Sequence, residues 1–326
     1  MGYSIGIGLT NNCNLDCAHC YRPTDRVYNL SLDQIKTICA SLPVDAMGMG
    51  TGENYMHPQF EEIVDYLSGQ GIKLTMASNG YSLNQMPEAT LRAFHDVEVS
   101  IDFATEEEQD RFRGAGNWRD VHAAIERCQR AGIEVSILAT LMSVNYDQME
   151  DLVGLARRVG ANLRVNAYQS VNTDAYRLSY EQFWEAYRRL FRAGQLVSCS
   201  EPVVRAALGE DAFSPCGRHS IRFTPTGRVI PCVYWPGESL TIEDVPALGE
   251  EILETREFEL ARQVPPAAAN CRCQGGCASR RALSGLLDRH DEYCPWVRGD
   301  EVHLDVTWAP LKDLPRGKNV CTTIVV

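Results

Sequence analysis

The chain has 326 residues, with 43 Asp and Glu against 31 Lys and Arg and a net charge of −12; this acidic balance argues against a surface for a nucleic-acid backbone, and the length predicts a main domain plus an appendage. The amino terminus lacks a basic region and no apolar run approaches membrane-spanning length, so secretion, transit and membrane insertion are not expected. Thirteen cysteines without an export signal point to metal ligation in a reducing cytoplasm, where disulfides are rare.

From residue 3 to about 195, β-rich runs alternate with amphipathic helical runs. The predicted strands are Tyr3–Thr10, Val44–Gly50, Ile72–Ala77, Val97–Ile101, Ile133–Leu138 and Leu163–Tyr168. Helices are predicted at Leu32–Ser41, Gln59–Gln70, Trp118–Ala131 and Tyr146–Val159, with a closing helix at Tyr180–Arg192. Repeats of this kind build a parallel sheet, and six of them predict an α/β fold, a partial (β/α)6 TIM-like barrel. Reactive groups then belong on loops at the carboxyl ends of the strands. Between Cys216 and Cys294 lie six cysteines, with helical periodicity only near Leu248–Gln263. Such a segment builds little core of its own, so metal is expected to staple it. The expected organisation is a barrel over 1–200, a small cysteine-rich C-terminal domain over 201–298 and a tail over 299–326 that ends in a β-prone run, Val320–Val326.

After the first strand comes Cys13-Asn-Leu-Asp-Cys17-Ala-His19-Cys20. Three thiolates on one tight loop can hold three irons of a cubane and leave the fourth iron open. The alternative is a structural zinc knot with His19 as fourth ligand, although zinc usually takes two separated ligand pairs. The CxxxCxxC spacing, with an aromatic ring before its last cysteine, resembles the radical S-adenosylmethionine (SAM) superfamily. That resemblance implies a [4Fe-4S] cluster whose open iron is chelated by SAM, reductive cleavage to a 5′-deoxyadenosyl radical, and hydrogen-atom abstraction. Tyr21 is expected to pack against the cluster.

Further strand ends carry motifs similar to those of the family. Gly50-Thr51-Gly52-Glu53 resembles its Gly-Gly-Glu element, with Thr51 in place of the first of those glycines and no proline after Glu53. Backbone carbonyls there would meet the methionine amino group, since glycine permits close approach; a simple turn is the alternative. Ser78-Asn79-Gly80 resembles Thr-Asn-Gly, and Ser100-Ile101-Asp102 resembles Ser-Ile-Asp. Polar side chains at consecutive strand ends point into one mouth, where they can bind ribose hydroxyls and a carboxylate. Asp110-Arg-Phe-Arg113-Gly114 resembles the Arg-Gly element, whose arginine could pair with the SAM carboxylate. His57 reads as a polar residue at a helix start, and Cys39 and Cys128 as packing thiols.

The pattern Cys216, ten residues, Gly227, four residues, Cys232 resembles the opening of the SPASM extension of radical SAM enzymes. Cys273-Gln-Gly-Gly-Cys277 matches its CxxxC element, Cys294 follows as a last ligand, and Cys271 stands where the full pattern has a CxxC pair. One or two auxiliary [4Fe-4S] clusters are implied. Two all-cysteine clusters take eight ligands, so Cys199, Cys321 or a non-cysteine group would complete a second; zinc is the alternative for this segment.

The resemblance implies an oxidative radical SAM enzyme of SPASM or twitch type, in which an auxiliary cluster accepts an electron after hydrogen abstraction. A peptide substrate is expected, with a dehydrogenation or epimerisation of an aminosugar or other small molecule as the alternative; the acidic charge suits a cationic substrate, and no leader-binding module is visible ahead of the first strand. A reductant such as flavodoxin or ferredoxin would be a partner, and neither nucleic acid nor membrane is expected. A redox-neutral epimerase would return hydrogen from a thiol such as Cys199 or Cys321. A non-catalytic iron–sulfur or zinc-stapled binding protein would need none of the strand-end motifs.

Overall fold

The computed structural model describes residues 2–210, 214–218, 220–310 and 321–326. Eight of its strands run parallel or fold back within one curved sheet around the barrel interior: β1 (Tyr3–Gly8), β2 (Val44–Gly50), β3 (Lys73–Ser78), β4 (Phe94–Ser100), β5 (Glu134–Leu141), β6 (Asn162–Ala167), β7 (Leu196–Cys199) and β8 (Ser220–Phe223). With β9 (Val229–Ile230) and β10 (Thr323–Val325) the sheet has ten strands in the order β7-β10-β6-β5-β4-β3-β2-β1-β8-β9. Strands β1 to β6 pair parallel, each with the next. This is the predicted α/β partial barrel.

The helices start where the sequence carries their signals. Leu32–Ser41 opens on a capping box in which Ser31 Oγ accepts from Gln34 N at 3.2 Å and Gln34 Oε1 accepts from Ser31 N at 2.9 Å. Ser179 and Gln182 repeat the device ahead of Tyr180–Ala193, satisfying otherwise unpaired first-turn donors. The predicted helix over Leu248–Gln263 instead divides into a 3₁₀ segment, Gly249–Glu254, and a short α-helix, Arg256–Arg262.

Along β1 the alternation Ile5, Gly6, Ile7, Gly8 turns the isoleucines towards the helices, where they are 1% and 3% exposed, and the glycines towards the barrel interior. In register, Gly6 faces Gly48 and Gly8 faces Gly50. A side chain at Gly6 would collide with Arg222, whose Nη1 lies 1.6 Å from the ideal Cβ position, and one at Gly8 would meet Pro225 at 2.7 Å. Closed barrels fill their interior with branched side chains. Here glycines and polar residues leave a cavity of about 1550 Å³.

Two features differ from the expected organisation. The cysteine-rich segment shares the barrel's core: β8 pairs parallel with β1, and Ile221, Phe223, Val245, Phe258 and Tyr293 join the same apolar core as the barrel. The β-prone tail becomes β10, inserted antiparallel between β6 and β7; Val320 of that run lies outside the described residues. Sequence periodicity gave no sign of either pairing, because partner choice between distant strands is set by which edge remains open.

Candidate active site

The Cys13–Cys20 loop leaves β1 and is fastened from both sides. Asn11 Nδ2 donates to the carbonyls of Pro23 and Arg26 at 2.8 and 2.7 Å, and its Oδ1 accepts from Tyr28 N at 2.6 Å. Arg22 donates to Leu15 O at 2.8 Å and to Asp16 at 3.1 Å. From the loop after β6, Asn172 Nδ2 holds Cys20 O at 2.8 Å. A loop whose backbone polar groups are so occupied presents its thiols in a fixed arrangement.

All three thiols are free, half-buried and line the cavity. Leu15 N lies 3.5 Å and Asn79 Nδ2 3.6 Å from Cys13 Sγ, both as donors; hydrogen bonds to ligand sulfur are among the means by which a protein tunes an iron–sulfur cluster. Burial pushes the Cys13 thiol up to about 11 and raises that of Cys17, while Arg113 opposes the shift at Cys17. Buried thiols of this kind ionise when a metal supplies positive charge. Among the described residues neither the three thiols nor His19 with them are gathered as tightly as one tetrahedral ion needs, with all ligand atoms within 4.8 Å of one another. The His19 ring stacks on Phe112 at 4.9 Å, Tyr176 meets it edge-on, and Nε2 lies 3.8 Å from Asp102. Burial depresses its pKa to about 4, so the ring is neutral at physiological pH. The donor set therefore fits a cluster with three protein thiolates better than tetrahedral zinc.

Glu53 is a positioning group. It is 2% exposed, and its carboxylate accepts from Ser78 Oγ at 2.9 Å, Asn79 N at 2.5 Å, Ser82 N at 3.0 Å and Ser82 Oγ at 2.5 Å. Burial raises its pKa against these four bonds. One carboxylate thus ties the end of β2 to the end of β3 and aims Asn79. Gly52, at φ 66°, has no room for a side chain: a Cβ there would stand 2.5 Å from Asn12 O, and Glu53 N donates to that same carbonyl at 2.8 Å.

Thr51 occupies a left-handed conformation, φ 65°, which β-branched residues rarely adopt. Its Oγ1 shares a hydrogen bond of 2.9 Å with Tyr21 Oη. Strain of this kind is worth roughly 1–2 kcal/mol. In a Tyr21→Phe background, where that bond is already gone, Thr51→Gly is expected to raise stability to urea by about 1 kcal/mol; a loss of stability would show that the threonine backbone is unstrained.

The remaining predicted site residues divide. Gly50, Ser78, Ser100 and Arg113 line the cavity with Asn79. Asp102 does not reach the mouth: it is fully buried, accepting from Arg113 Nε at 2.7 Å and from Thr140 N at 2.9 Å. Arg113, expected to face a cofactor carboxylate, is thus held by Asp102. Arginine and aspartate hold each other beside the thiols, a charge-balanced wall that no motif spacing reveals. His57 is structural, with Nε2 against Leu30 O at 2.8 Å and Nδ1 accepting from Gln59 N at 3.0 Å. Cys39 and Cys128 lie on helices, packed against the core.

Sequence reasoning missed the far wall of the cavity. Tyr234, from the cysteine-rich segment, meets Tyr21 edge-on at 5.3 Å, and both rings lie within electrostatic range of Cys20 on one side and Cys232 on the other. In that segment the thiols of Cys271, Cys273 and Cys294 approach to 3.2, 3.2 and 3.3 Å. Hydrogen bonding from Cys273 lowers Cys294 to about 6, which favours one thiolate in the group. Cys216, Cys232 and Cys277 form a separate neighbourhood. The six predicted ligands therefore fall into two sets of three.

Residues 7–156 match the family model described as "Radical SAM superfamily". The mycofactocin maturase MftC of Mycobacterium ulcerans (strain Agy99) is 28% identical over 322 residues, covering 88% of this chain and 86% of that protein. The antilisterial bacteriocin subtilosin biosynthesis protein AlbA of Bacillus subtilis (strain 168) is 25% identical, covering 71% of this chain and 54% of its own length. Among solved structures, anSMEcpe with bound AdoMet superposes with a TM-score of 0.71 at 17% identity, covering 91% of this chain and 92% of that one. SuiB of Streptococcus suis bound to S-adenosylmethionine gives 0.68 at 15% identity, covering 90% and 77%. The stretch that matches the radical SAM model runs through the barrel as far as the helix before β6, and the C-terminal cysteines lie outside it.

Proposed function

We propose that this radical SAM enzyme oxidatively modifies a peptide held in the barrel cavity. A four-iron cluster on Cys13, Cys17 and Cys20, with SAM on its open iron, supplies hydrogen-atom abstraction when bound, and auxiliary clusters in the cysteine-rich segment supply an electron sink. The chain's own residues fasten the loop, aim Asn79, keep His19 neutral and surround the substrate with a wall that excludes water. The observation that carries the peptide reading is the cavity. Its volume of about 1550 Å³ exceeds the roughly 300–1,000 Å³ of ordinary small-molecule sites, and its glycine-lined interior leaves room for a side chain beyond the cofactor. Relatives named as maturases, and a SuiB structure whose description includes a precursor peptide, support the same substrate class.

Hydrogen abstraction removes one hydrogen atom; loss of a second electron and a proton makes the net reaction a two-hydrogen oxidation. Product formed in deuterated water is therefore expected to weigh two mass units less than substrate. A product that has gained one solvent deuterium and changed in no other way marks an epimerase and overturns the oxidative reading. Replacing Cys232 or Cys277 should stop product formation while leaving uncoupled formation of 5′-deoxyadenosine. Turnover of an aminosugar with no turnover of any peptide offered would displace the peptide assignment. No helix among the described residues is long and apolar enough to cross a membrane; we expect the enzyme to work in the cytoplasm with a flavodoxin or ferredoxin as reductant.

A further inference from the structure

Three of the thiols in the cysteine-rich segment have a fourth neighbour from elsewhere in the chain. The Cys216 thiol lies within hydrogen-bonding reach of both Cys232 and Cys321, and Cys321 within reach of Cys277. Cys216 and Cys277 are 4% and 2% exposed, and Ser279 Oγ, 3.7 Å from Cys216, faces the same group. Four thiols from four separate stretches converge on one place, Cys216 and Cys277 buried and Cys232 and Cys321 half-buried. Only the first three belong to the cysteine-rich segment; Cys321 arrives with the C-terminal strand.

That strand is short. Thr323–Val325 gives β10 three residues, against a usual five or six. It nevertheless fills the gap between β6 and β7, with Thr323 beside Val165 and Cys199. Ser200 and Thr322 exchange three further bonds, Ser200 N to Thr322 O at 2.9 Å, Ser200 Oγ to Thr322 O at 3.1 Å and Thr322 N to Ser200 Oγ at 3.1 Å. Val325 packs against Gly194, where a Cβ would stand 2.8 Å away. A strand of this length makes few ladder bonds, and joining it to β6 closes a long stretch of chain, with an entropic penalty that grows with that length. A second anchor at its start would offset that penalty.

Resting on the auxiliary-cluster reading above, we infer that Cys321 is the fourth protein ligand of the site formed by Cys216, Cys232 and Cys277, and that this cluster locks the C-terminal strand into the barrel sheet. The seven thiols then divide as four and three: one fully thiolate-ligated cluster, and a second site at Cys271, Cys273 and Cys294 with three protein thiolates. The strand that completes the sheet is also the strand that completes the metal site, so occupancy of the site and closure of the sheet depend on each other.

The test uses the full chain carrying Cys13, Cys17 and Cys20 all replaced by alanine, reconstituted anaerobically, so that only auxiliary iron is counted. Iron, sulfide and Mössbauer spectra are measured with and without Cys321→Ala, together with hydrogen exchange of the 321–326 segment in loaded and iron-free protein. Cys321→Ala is expected to lose roughly one cluster's worth of iron or convert it to a three-iron form. Loading should slow exchange at Thr323–Val325 at least tenfold in the parent and leave it unchanged in the Cys321→Ala protein, whereas Cys39→Ala should behave as the parent. Comparing iron-free forms, which should exchange alike, separates ligand loss from simple weakening of the strand. Unchanged iron in Cys321→Ala, or equal protection of the strand with and without metal in the parent, would overturn the proposal. Parent protein holding zinc without sulfide, or no iron at all, would instead overturn the auxiliary-cluster reading beneath it.

Discussion

Cys17→Ala is expected to reduce formation of 5′-deoxyadenosine from SAM to background in the anaerobically reconstituted enzyme. On the proposed reading these three thiols, all on one loop, are the protein's share of the catalytic cluster, and removing one would leave an iron without an anchor in a site that leaves only one iron open. The loop is fastened by Asn11, Arg22 and Asn172 through groups other than the thiols, so the substitution should leave the fold and the auxiliary iron intact. Cys39→Ala, on Leu32–Ser41 with its thiol packed on the core, should retain activity. Persistence of 5′-deoxyadenosine in Cys17→Ala protein that has kept its circular dichroism would place the chemistry elsewhere.

The three-cysteine loop could be singled out in the sequence because its signal is local. Three ligands within eight residues need no tertiary information to be recognised, and glycine and polar residues at successive strand ends announce themselves by position. Helix boundaries were legible for the same reason: Ser31 with Gln34, and Ser179 with Gln182, are short-range signals. What stayed hidden depends on distant partners. Glu53 reads as part of a cofactor motif, yet its carboxylate turns inward to bind Ser78, Asn79 and Ser82. Asp102 reads as a mouth residue and is instead the buried counter-ion of Arg113. In both cases the residue type is the expected one, and only the rotamer, set by buried donors, decides what it serves.

The C-terminal half shows a second limit. Counting cysteines gives the number of possible ligands but not their partition, because the two sets interleave along the chain: Cys273 and Cys277 are four residues apart and go to different groups. A local device separates them. Gln274, at φ 47°, and Gly275 and Gly276, at 92° and 70°, are all left-handed, and this run turns the two thiols away from each other. Gly276 has no room for a side chain, since a Cβ would stand 2.4 Å from Asp291. The two glycines of the CxxxC element have separate physical roles: Gly275 lets the chain pass Pro265, whose Cδ would stand 2.6 Å from a Cβ there, and Gly276 lets it pass Asp291.

Asp291 belongs to the group whose disruption should have the largest effect on stability. Arg280, 5% exposed, donates to Asp291 at 2.9 and 2.6 Å and to Glu201 at 2.9 Å, and its guanidinium lies 4.6 Å from the Tyr293 ring centroid. Asp291 in turn accepts from Cys277 N at 2.7 Å and Tyr293 N at 3.0 Å, so one arginine joins the cysteine-rich segment to Glu201 at the end of the barrel. Arg280→Met would keep most of the volume and leave two buried carboxylates without their cation, which should lower stability to urea by about 3–5 kcal/mol. The pH dependence follows from Glu201. Burial raises its pKa and Arg280 restrains that rise, so without Arg280 the folded-state value climbs further above the unfolded one. An acid whose folded pKa is raised destabilises the fold once it is ionised, so the deficit is full at neutral pH and should shrink as pH falls and Glu201 takes up a proton. Adding Glu201→Gln should recover a large part of the loss at neutral pH, because a neutral amide needs no counter-ion. A deficit below about 1 kcal/mol, the range of an exposed ion pair, or a deficit that grows towards acid, would show that this buried group does not hold the two parts of the chain together.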